Sequence, residues 1–461
     1  MMSAAGEGAD VSAAEQLMAE VVDTELCVQC GTCVGGCPGG ALSMTGANPL
    51  PTLVNPGACL DCGICLKVCP RRTTDFDKIS RNVFGRAPTN SEPAGVVESF
   101  WVGRVADEVV RSRAAGGGIV SGLVIHLLSS GKVDGVIMCG PDPHQPGHIV
   151  TKTITTRAEM IANAGSHYRL VPVNAILREL APESARFALV GTGCHIAAVR
   201  KLQMANPRWA CRIILTIGIE CGMNLSPSWT RYLMSEMGIE DPDEVETMWY
   251  RAPGGAGPGL VLKSGEKREL EEVFGFSMSR LAPLFMPLGC SLCLDYYAEH
   301  ADVTVGDHAQ GISEAYVRSP AGREALKGAV RQGVLDLRPV DVEKGHELTP
   351  YIRLKMRRCQ TLLESRSRDG LPVPDYRGRE RLADDLWDFA EDKESFLFVR
   401  RALREPTIQA WYKKLSPWRQ YRIGRLWMGA PTWFQPEEGW HHPQQFIDEE
   451  GWEVFLASGI A

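Results

Sequence analysis

The chain has 461 residues, a length that accommodates about two to four domains. Hydrophobic residues make up 44% of it and charged residues 23%, an ordinary globular composition that excludes a disordered chain. The formal net charge of −7 argues against a dedicated nucleic-acid-binding protein, whose binding domain should be basic. Cysteine is the unusual residue, because eight of the fifteen cysteines fall between Cys27 and Cys69.

Residues 1–22 form a polar leader of small residues that is predicted to contain at most one short helix. The leader lacks a basic start followed by an apolar core, so it is not a secretory signal. No stretch approaches the roughly 20 apolar residues of a transmembrane segment. We therefore expect a cytoplasmic protein, in which many cysteines indicate metal or redox chemistry rather than disulfides.

Residues 23–75 contain two cysteine runs of identical spacing, each followed by a proline. The runs are Cys27, Cys30, Cys33 and Cys37, and then Cys59, Cys62, Cys65 and Cys69. Three closely spaced thiolates can hold three irons of a cubane, but the fourth ligand must come from the other run. One 4Fe–4S cluster is therefore predicted on Cys27, Cys30, Cys33 and Cys69, and a second on Cys37, Cys59, Cys62 and Cys65.

A pair of structural zinc sites is the alternative interpretation of these runs. Zinc sites usually combine two cysteine pairs, not three cysteines plus one, so the spacing favours the clusters. The segment resembles a bacterial two-cluster ferredoxin, which predicts a small α+β ferredoxin-like domain.

Residues 76–95 are rich in Pro, Asn and Ser towards their end and are predicted to be a linker. From 96 to 360, short apolar runs alternate with helical stretches. A strand is predicted at Arg186–Val190, a helix at Ile196–Gln203 and a second strand at Cys211–Ile219. Strand–helix–strand order of this length indicates a parallel α/β domain.

Three consecutive glycines, Gly116, Gly117 and Gly118, precede an apolar stretch that is predicted to be a buried helix ending before Gly131. The free N–H groups at the start of such a helix can bind an anion, so the turn is a candidate phosphate site. It matches neither a Walker loop nor GxGxxG, and a flexible turn is the alternative.

Four further cysteines lie in suggestive contexts: Cys194 after a strand and a glycine turn, Cys221, and the pair Cys290 and Cys293. Their spacing is equally compatible with a cluster, a zinc site or unrelated thiols. The strand candidate at 302–307 ends in Asp307, which is expected to cap a loop or contact a cofactor. Cys139, Cys211 and Cys359 fit no spacing and are expected to be buried structural residues.

Five ordered segments carry a family resemblance. They are GGGIVSGLVIHLLSSGKVDGVIM, AGSHYRLVPVNAILREL, ALVGTGCHIAAVRKL, IGIECGM and CSLCLDYYAEHADVTVGD. Together with the cysteine runs, they resemble the β-subunit family of coenzyme F420 hydrogenases and dehydrogenases over about residues 23–310.

The resemblance implies an α/β flavin-binding domain with one FAD and a third 4Fe–4S cluster. The cluster ligands would be Cys194, Cys221, Cys290 and Cys293. The FAD phosphate and ribose would be held by Gly116, Gly117, Gly118, Ser121, Ser166 and Tyr168. Thr192 and Gly193 would border the flavin ring.

Four positions depart from the family pattern: Gly116 replaces Ser, His167 replaces Lys, Gly193 replaces Pro and His195 replaces Gln. A histidine replaces the charge of a lysine only in part at neutral pH. These departures bear on the two-electron substrate more than on the fold.

The predicted function is that of an iron–sulfur flavoprotein oxidoreductase subunit. It would pass electrons between a two-electron carrier, F420 or NAD(P)H, and one-electron acceptors such as ferredoxin, within a complex of oxidoreductase subunits. One alternative is a non-catalytic subunit that connects a partner enzyme to ferredoxin. Another is a ferredoxin-dependent reductase of a conjugated-ring substrate.

Residues 361–461 contain seven of the eleven tryptophans, interleaved in part with Lys and Arg. Stacking on single-stranded nucleic acid is disfavoured by the acidic balance, and several Pro and Gly residues weaken a membrane-surface helix. Two interpretations remain, an arm packed on its own domain and a docking arm for a partner subunit.

Overall fold

The fold is taken from a computed structural model. It describes residues 11–46, 49–145, 147–181, 183–252, 257–270, 274–379 and 390–415, together with residues 419, 420, 423, 424 and 427.

Fifteen strands are described: β1 Leu42–Ser43, β2 Thr52–Leu53, β3 Thr73–Asp75, β4 Ser99–Val105, β5 Gly135–Pro141, β6 Ile149–Ile154, β7 Phe187–Thr192, β8 Ile213–Ile219, β9 Val245–Trp249, β10 Gly259–Leu262, β11 Lys267–Glu269, β12 Val303–Ala309, β13 Ile312–Val317, β14 Leu335–Val340 and β15 Asp375–Arg377.

The described α-helices are α1 Ala13–Leu17, α2 Thr32–Gly35, α3 Ile64–Val68, α4 Phe76–Phe84, α5 Glu108–Arg113, α6 Ile119–Ser129, α7 Arg157–Ala162, α8 Gly193–Ala205, α9 Arg208–Arg212, α10 Ser228–Glu236, α11 Phe274–Phe285, α12 Leu288–Ser291, α13 Pro320–Arg331, α14 Val342–Gly345, α15 Pro350–Arg368, α16 Ala390–Ala402 and α17 Pro406–Lys414. A π-turn at Met18–Val22 and 3₁₀ segments at Pro56–Ala58, Val173–Glu179 and Pro242–Glu244 complete the helical elements.

The N-terminal module contains the antiparallel pair β1–β2 and the short helices α2 and α3. Helix α1 begins with a capping box, in which Ser12 accepts from the N–H of Glu15 and the Glu15 carboxylate accepts from that of Ser12. Ala13, Ala14 and Leu17 are buried against the cysteine loops. Residues predicted to be a leader therefore pack into the module.

The predicted linker at 76–95 begins with a helix instead. Asp75 caps α4 by accepting from the N–H of Lys78, and Gly85 ends the helix with a φ of 79°. Phe76 and Ile79 are buried and give α4 an apolar face. The Pro, Asn and Ser residues that indicated a linker lie after this helix.

An eight-stranded mixed sheet forms the centre of the second domain, in the order β14–β4–β13–β12–β8–β7–β5–β6. Strands β12, β8, β7 and β5 are parallel, and the outer strands join them antiparallel. The predicted α/β fold class is thereby confirmed. Because the four central strands are parallel, their carboxyl ends share one edge, the usual place for ligand sites.

Helices cover both faces of this sheet. Alternate residues of β5 and β7 point to opposite sides, so that Val136 and Ala188 contact the layer of α6 and α13. Ile137 and Leu189 contact the layer that includes α8 and α10. The result is a three-layer domain.

The sequence-predicted elements match this architecture except at one end. The predicted helix after Gly118 is α6, and the predicted strand and helix around 186–203 are β7 and α8. The next strand starts at Ile213, not at Cys211, which lies on α9 and is exposed. The expectation that Cys211 is buried is therefore wrong, whereas Cys359 is buried and Cys139 is half-buried.

The described part of the C-terminal region packs onto both domains. Strand β15 extends β3 in parallel, and Ile408 and Tyr412 of α17 are fully buried in the core beside α11. Five of the seven C-terminal tryptophans lie outside the described residues, and Trp411 and Trp427 pack against this core. None of the described helices is both long and apolar enough to cross a membrane.

Candidate functional site

Three cavities lie in and beside the N-terminal module, and each is lined by four cysteines. The first cavity has Cys27, Cys30, Cys33 and Cys69, the second has Cys37, Cys59, Cys62 and Cys65, and the third has Cys194, Cys221, Cys290 and Cys293. These groups coincide with the three predicted ligand sets. The three cavities are similar in size.

The first cavity is lined mainly by cysteines and apolar side chains, together with Gln29 and Arg71. The N–H of Gln29 donates to Cys27 Sγ at 3.4 Å, and Cys30 Sγ lies 3.5 Å from the Thr32 hydroxyl. Burial raises the pKa of both thiols to about 12, with the neighbouring thiols adding to the increase. Such thiols stay protonated until a cation takes the place of the proton, as a metal cluster does.

The second cavity opens to solvent. Cys62 is exposed, and Leu60, which also lines the cavity, is 66% exposed. The Ala13 N–H donates to Asp61 Oδ1 at 2.7 Å, which attaches α1 to the loop that carries Cys62. The N-terminal helix therefore forms one wall of this cavity.

The third cavity assembles cysteines from distant segments. Cys194 lies in the first turn of α8, Cys221 follows the carboxyl end of β8, and Cys290 lies on α12 with Cys293 just beyond it. The Thr192 hydroxyl lies 3.3 Å from Cys194 Sγ. Parallel strands β7 and β8 bring Cys194 and Cys221 together because both follow carboxyl ends of neighbouring strands.

Buried cations, which the sequence reasoning missed, surround these thiols. Lys355 donates to the carbonyls of Cys221 at 2.5 Å and Asp295 at 2.7 Å, and Lys201 donates to that of Cys69 at 2.6 Å. Arg71 lines the first and third cavities. Arg71 stands two residues after Cys69, a signal that was available from sequence, whereas nothing near Lys355 in the sequence indicates its role.

The donor sets fit iron–sulfur clusters. Soft thiolates are the ligands that such clusters use, and hydrogen bonds to the sulfurs accompany them. Within the described ranges, no three His, Cys, Asp or Glu side chains converge as ligands of a single metal ion do. The thiols line cavities in groups of four instead, the number of ligands that a 4Fe–4S cluster takes.

The two domains meet at the first and third cavities. Asn174 is fully buried, and its amide donates to the Thr32 hydroxyl at 2.8 Å and to the His195 carbonyl at 2.9 Å. A Cβ at Gly289 would lie 2.3 Å from the Leu26 carbonyl, so α12 needs glycine there to approach the loop before Cys27. These contacts set the first and third cysteine groups side by side.

The residues predicted to hold FAD phosphate and ribose gather at the carboxyl edge of the large sheet. Tyr168 interacts with Ser166, Arg251 and Asp307, and Asp307 forms an ion pair with Arg251. Burial raises the pKa of Tyr168, which keeps the phenol neutral. The space beside Gly165 is open, since a Cβ there would meet only the Arg113 carbonyl, at 3.9 Å.

The glycine turn adjoins this polar group. The first N–H groups of α6 have no intrahelical acceptor, and Ser121 is buried in the first turn. Together with Ser166, Tyr168 and Arg251, these groups suit the phosphate and hydroxyl groups of a dinucleotide.

Two of the glycines also have a packing role. A Cβ at Gly116 would lie 2.4 Å from Asp307 Oδ1, and one at Gly117 would lie 2.4 Å from the backbone nitrogen of Ser313. Gly117 donates its N–H to the Ser313 hydroxyl at 2.8 Å. The chain itself therefore requires glycine at position 117, whereas a side chain at position 116 would have to displace the Asp307 carboxylate.

His167 does not supply the positive charge of the lysine that it replaces. Burial lowers its pKa to about 4, and its Nε2 faces the Asn163 carbonyl at 3.4 Å. The imidazole is therefore neutral at physiological pH, not partly charged.

Thr192 and Gly193, predicted to border the flavin ring, line the third cysteine cavity. Tyr351 lies between that cavity and Tyr168. Its hydroxyl occupies the space beside Gly222, next to Cys221, and the Tyr351 and Tyr168 hydroxyls influence each other electrostatically. The polar group around Tyr168 and the third cavity are thus near neighbours.

Free thiols arranged in fours around closely spaced cavities, in a small two-run module joined to an α/β domain, define an iron–sulfur electron-transfer oxidoreductase. All fifteen cysteines lie in the described residues and are free. Comparison with known proteins then identifies the family.

Two family models, for the N-terminal part and the C terminus of the coenzyme F420 hydrogenase/dehydrogenase beta subunit, match residues 100–178 and 184–343. The model of a 4Fe-4S dicluster domain matches residues 26–73. The chain therefore belongs to the coenzyme F420 hydrogenase/dehydrogenase beta-subunit family, with a dicluster domain ahead of the family region. It is an oxidoreductase electron-transfer subunit that carries iron–sulfur clusters.

Several curated relatives are similar over much of the chain. The coenzyme F420 hydrogenase subunit beta of Methanococcus voltae is 28% identical, covering 61% of this chain and 99% of that protein. The coenzyme F420-dependent sulfite reductase of Methanocaldococcus jannaschii is 27% identical, covering 77% of this chain and 53% of that protein. A component of the F(420)H(2) dehydrogenase of Methanosarcina mazei is 25% identical, covering 67% of this chain and 83% of that protein.

Among solved structures, a chain of the xenon-derivatised F420-reducing NiFe hydrogenase complex from Methanosarcina barkeri gives a TM-score of 0.49 at 21% identity. The match covers 62% of this chain and 97% of that chain.

Proposed function

We propose that the chain is a catalytic flavoprotein subunit with three 4Fe–4S clusters, which exchanges electrons between a hydride-carrying cofactor, reduced F420 or NAD(P)H, and a one-electron partner. The observation that carries the proposal is the set of three four-cysteine cavities, the first and third of which share the wall formed by Val28 and Arg71. The four cysteines of each cavity would hold one cluster. Bound FAD supplies the exchange between two-electron and one-electron chemistry, and the clusters carry single electrons.

The α/β domain would hold the FAD. Ser121, Ser166 and Tyr168, with the N–H groups that begin α6, would bind the phosphate and ribose groups. Arg251 and Asp307 neutralise each other there, so the pair adds polarity without net charge. Tyr351 would lie between this site and the third cluster, with its hydroxyl beside Gly222.

The second cavity would be the point of contact with the partner. Leu60, which lines this cavity, is 66% exposed, and two other exposed hydrophobic residues adjoin segments of its lining, Val11 at 67% and Val54 at 60%. Val54 donates its N–H to the carbonyl of Ala41, which lines the cavity, and Val11 precedes Ser12, the N-cap of α1. An exposed apolar rim around an opening is suited to another oxidoreductase subunit or a ferredoxin.

One observation favours a competing hypothesis, that of a non-catalytic subunit that contains clusters but no flavin. Gly117 is explained by backbone contacts within the chain, so this glycine does not by itself require a ligand. The two hypotheses differ in flavin content and in direct reduction by a two-electron donor.

The test is an anaerobic measurement of iron and flavin per chain, followed by addition of reduced F420 or NADH. We expect about 12 iron atoms from three cubanes, one flavin, and bleaching of the flavin by one of the donors. About 12 iron atoms with no flavin and no bleaching would establish the non-catalytic subunit. About eight iron atoms would refute the third cluster.

A matched pair of variants on α6 localises the flavin. Ser121→Ala removes a hydroxyl at the predicted phosphate end, while Ser129→Ala removes one at the opposite end, where it bonds the His126 carbonyl. We expect Ser121→Ala to lower flavin content and Ser129→Ala to leave it unchanged. Equal flavin content in both variants would contradict the proposed position.

A further inference from the structure

The wall between the first and third cysteine cavities contains one charged side chain, that of Arg71. Arg71 follows Cys69 and Pro70 in the chain and is only 3% exposed. It lines both cavities, as does Val28. The segment that supplies the last thiol of the first cavity thus places a guanidinium against the third.

The guanidinium is directed at the thiols of the third cavity. Its positive charge acts electrostatically on Cys293, Cys194 and Cys290, all three of which line that cavity.

The C-terminal region holds Arg71 in this orientation. Arg71 Nη1 donates to the hydroxyl of Tyr376, and the Tyr376 ring lies 5.9 Å from the guanidinium carbon. Tyr376 belongs to β15, which pairs with β3 directly after Arg71 and Arg72. The contact therefore fixes the charge in place without neutralising it.

The three cavities differ in their buried cations. The third has the buried Arg71 and Lys355 together with the buried carboxyl group of Asp295, and the first shares Arg71 and has the half-buried Lys201 at the Cys69 carbonyl. The residues that line the second cavity are uncharged. Adding an electron to a thiolate-bound cluster increases its negative charge, and a buried cation stabilises that state strongly because screening is weak.

We propose that Arg71 raises the reduction potential of the third cluster, a proposal that rests on the proposed function. Arg71 belongs to the ferredoxin-like module and places a fixed positive charge against the ligands of that cluster, Cys194, Cys221, Cys290 and Cys293. An arginine keeps its charge at every accessible pH, so the effect is constant. The ferredoxin-like module therefore has two roles, since it transfers electrons and also sets how readily the third cluster accepts one.

The test is a redox titration of the whole anaerobic protein, monitored by electron paramagnetic resonance. In Arg71→Gln we expect the ratio of reduced to oxidised third cluster at a fixed potential to fall at least tenfold, which is 59 mV for a one-electron couple. The third cluster is identified as the one that Lys355→Gln also displaces, because Lys355 bonds the carbonyls of Cys221 and Asp295.

Three controls separate charge from structure. Arg71→Lys keeps the charge and should recover most of the shift. Tyr376→Phe removes the hydrogen bond and keeps the charge, so its shift should be far smaller than that of Arg71→Gln. Arg72→Gln makes the same charge change at the adjacent residue, whose partner is Glu20 at 2.5 Å, and should leave all clusters unchanged.

An unchanged third cluster in Arg71→Gln, or an equal shift in Arg72→Gln, would overturn the inference. If Arg71→Gln does not retain iron, native protein labelled with ¹⁵N-arginine provides the test. The reduced third cluster should show a nitrogen hyperfine coupling, and its absence would also overturn the inference. A protein without a third cluster would refute the proposed function instead, a distinct result visible in the iron content.

Discussion

The N-terminal module and the α/β domain both place four cysteines around a cavity, but they do so by different means. In the module, two local runs exchange one ligand each, and the eight thiols lie within 43 positions of one another, from Cys27 to Cys69. In the α/β domain, three segments between Cys194 and Cys293 meet at the edge of the large sheet. The first arrangement is encoded in spacing and the second in topology, so the second depends on the packing of the whole domain.

Loss of a thiol should therefore have its largest effect in the third cavity. We expect Cys290→Ser to lose about four of about 12 iron atoms and to prevent electrons of the flavin from reaching the module. Iron analysis, with rapid mixing against a two-electron donor, measures both. Cys139→Ser, at a half-buried thiol on β5 that lines none of the three cavities, is the control. Retention of all iron in Cys290→Ser would show that the third cavity is not a cluster site.

Glycine substitutions should show the same contrast in stability. Gly117→Ala would place a Cβ 2.4 Å from the Ser313 nitrogen and 2.7 Å from the Gly103 carbonyl, both backbone atoms that cannot move aside. We expect the free energy of unfolding to fall by about 1–3 kcal/mol. Gly57→Ala in the module has only Asn55 Oδ1 nearby, at 3.8 Å, and should be nearly neutral. Thermal unfolding of the two variants measures the difference, and equal melting temperatures would contradict the packing role of Gly117.

The same contrast explains how far the sequence could predict the molecule. The ligand grouping around Cys27–Cys69 follows from spacing, and strands such as β7 follow from apolar runs and glycine turns. Lys355 reaches the Cys221 carbonyl from 134 residues away, and no local pattern encodes such a contact. Composition predicted a linker where α4 lies, because this short helix directly precedes the Pro- and Ser-rich stretch. The strand predicted to start at Cys211 begins two residues later, because Cys211 belongs to α9, which ends just before β8.

A substitution at the exposed rim of the second cavity should have a smaller effect, confined to the rate of electron transfer to the partner. Leu60→Asp puts a charge on the apolar surface beside Cys62, so we expect electron transfer to the partner to slow about tenfold, a cost of about 1.4 kcal/mol, while iron content stays unchanged. Val109→Asp is the matched control, since Val109 is 58% exposed on α5 and lines none of the three cavities. Equal rates in both variants would exclude this rim as the contact surface.

The smallest effect is expected at His167, the position at which the chain lacks the lysine of its family pattern. Burial lowers the pKa of His167 to about 4, below the ordinary value of 6.5, so the folded protein keeps the imidazole neutral throughout the physiological range. A cationic histidine would tighten phosphate binding as the pH falls through about 6.5. A neutral one gives no such dependence, and His167→Gln should keep the flavin dissociation constant within about twofold of wild type at pH values of about 6 and 8. Fluorescence titration of flavin into the flavin-depleted protein measures both constants. Binding that is tighter at pH 6 in the wild type but not in His167→Gln would show that the imidazole is charged after all, and that this histidine takes the role of the missing lysine.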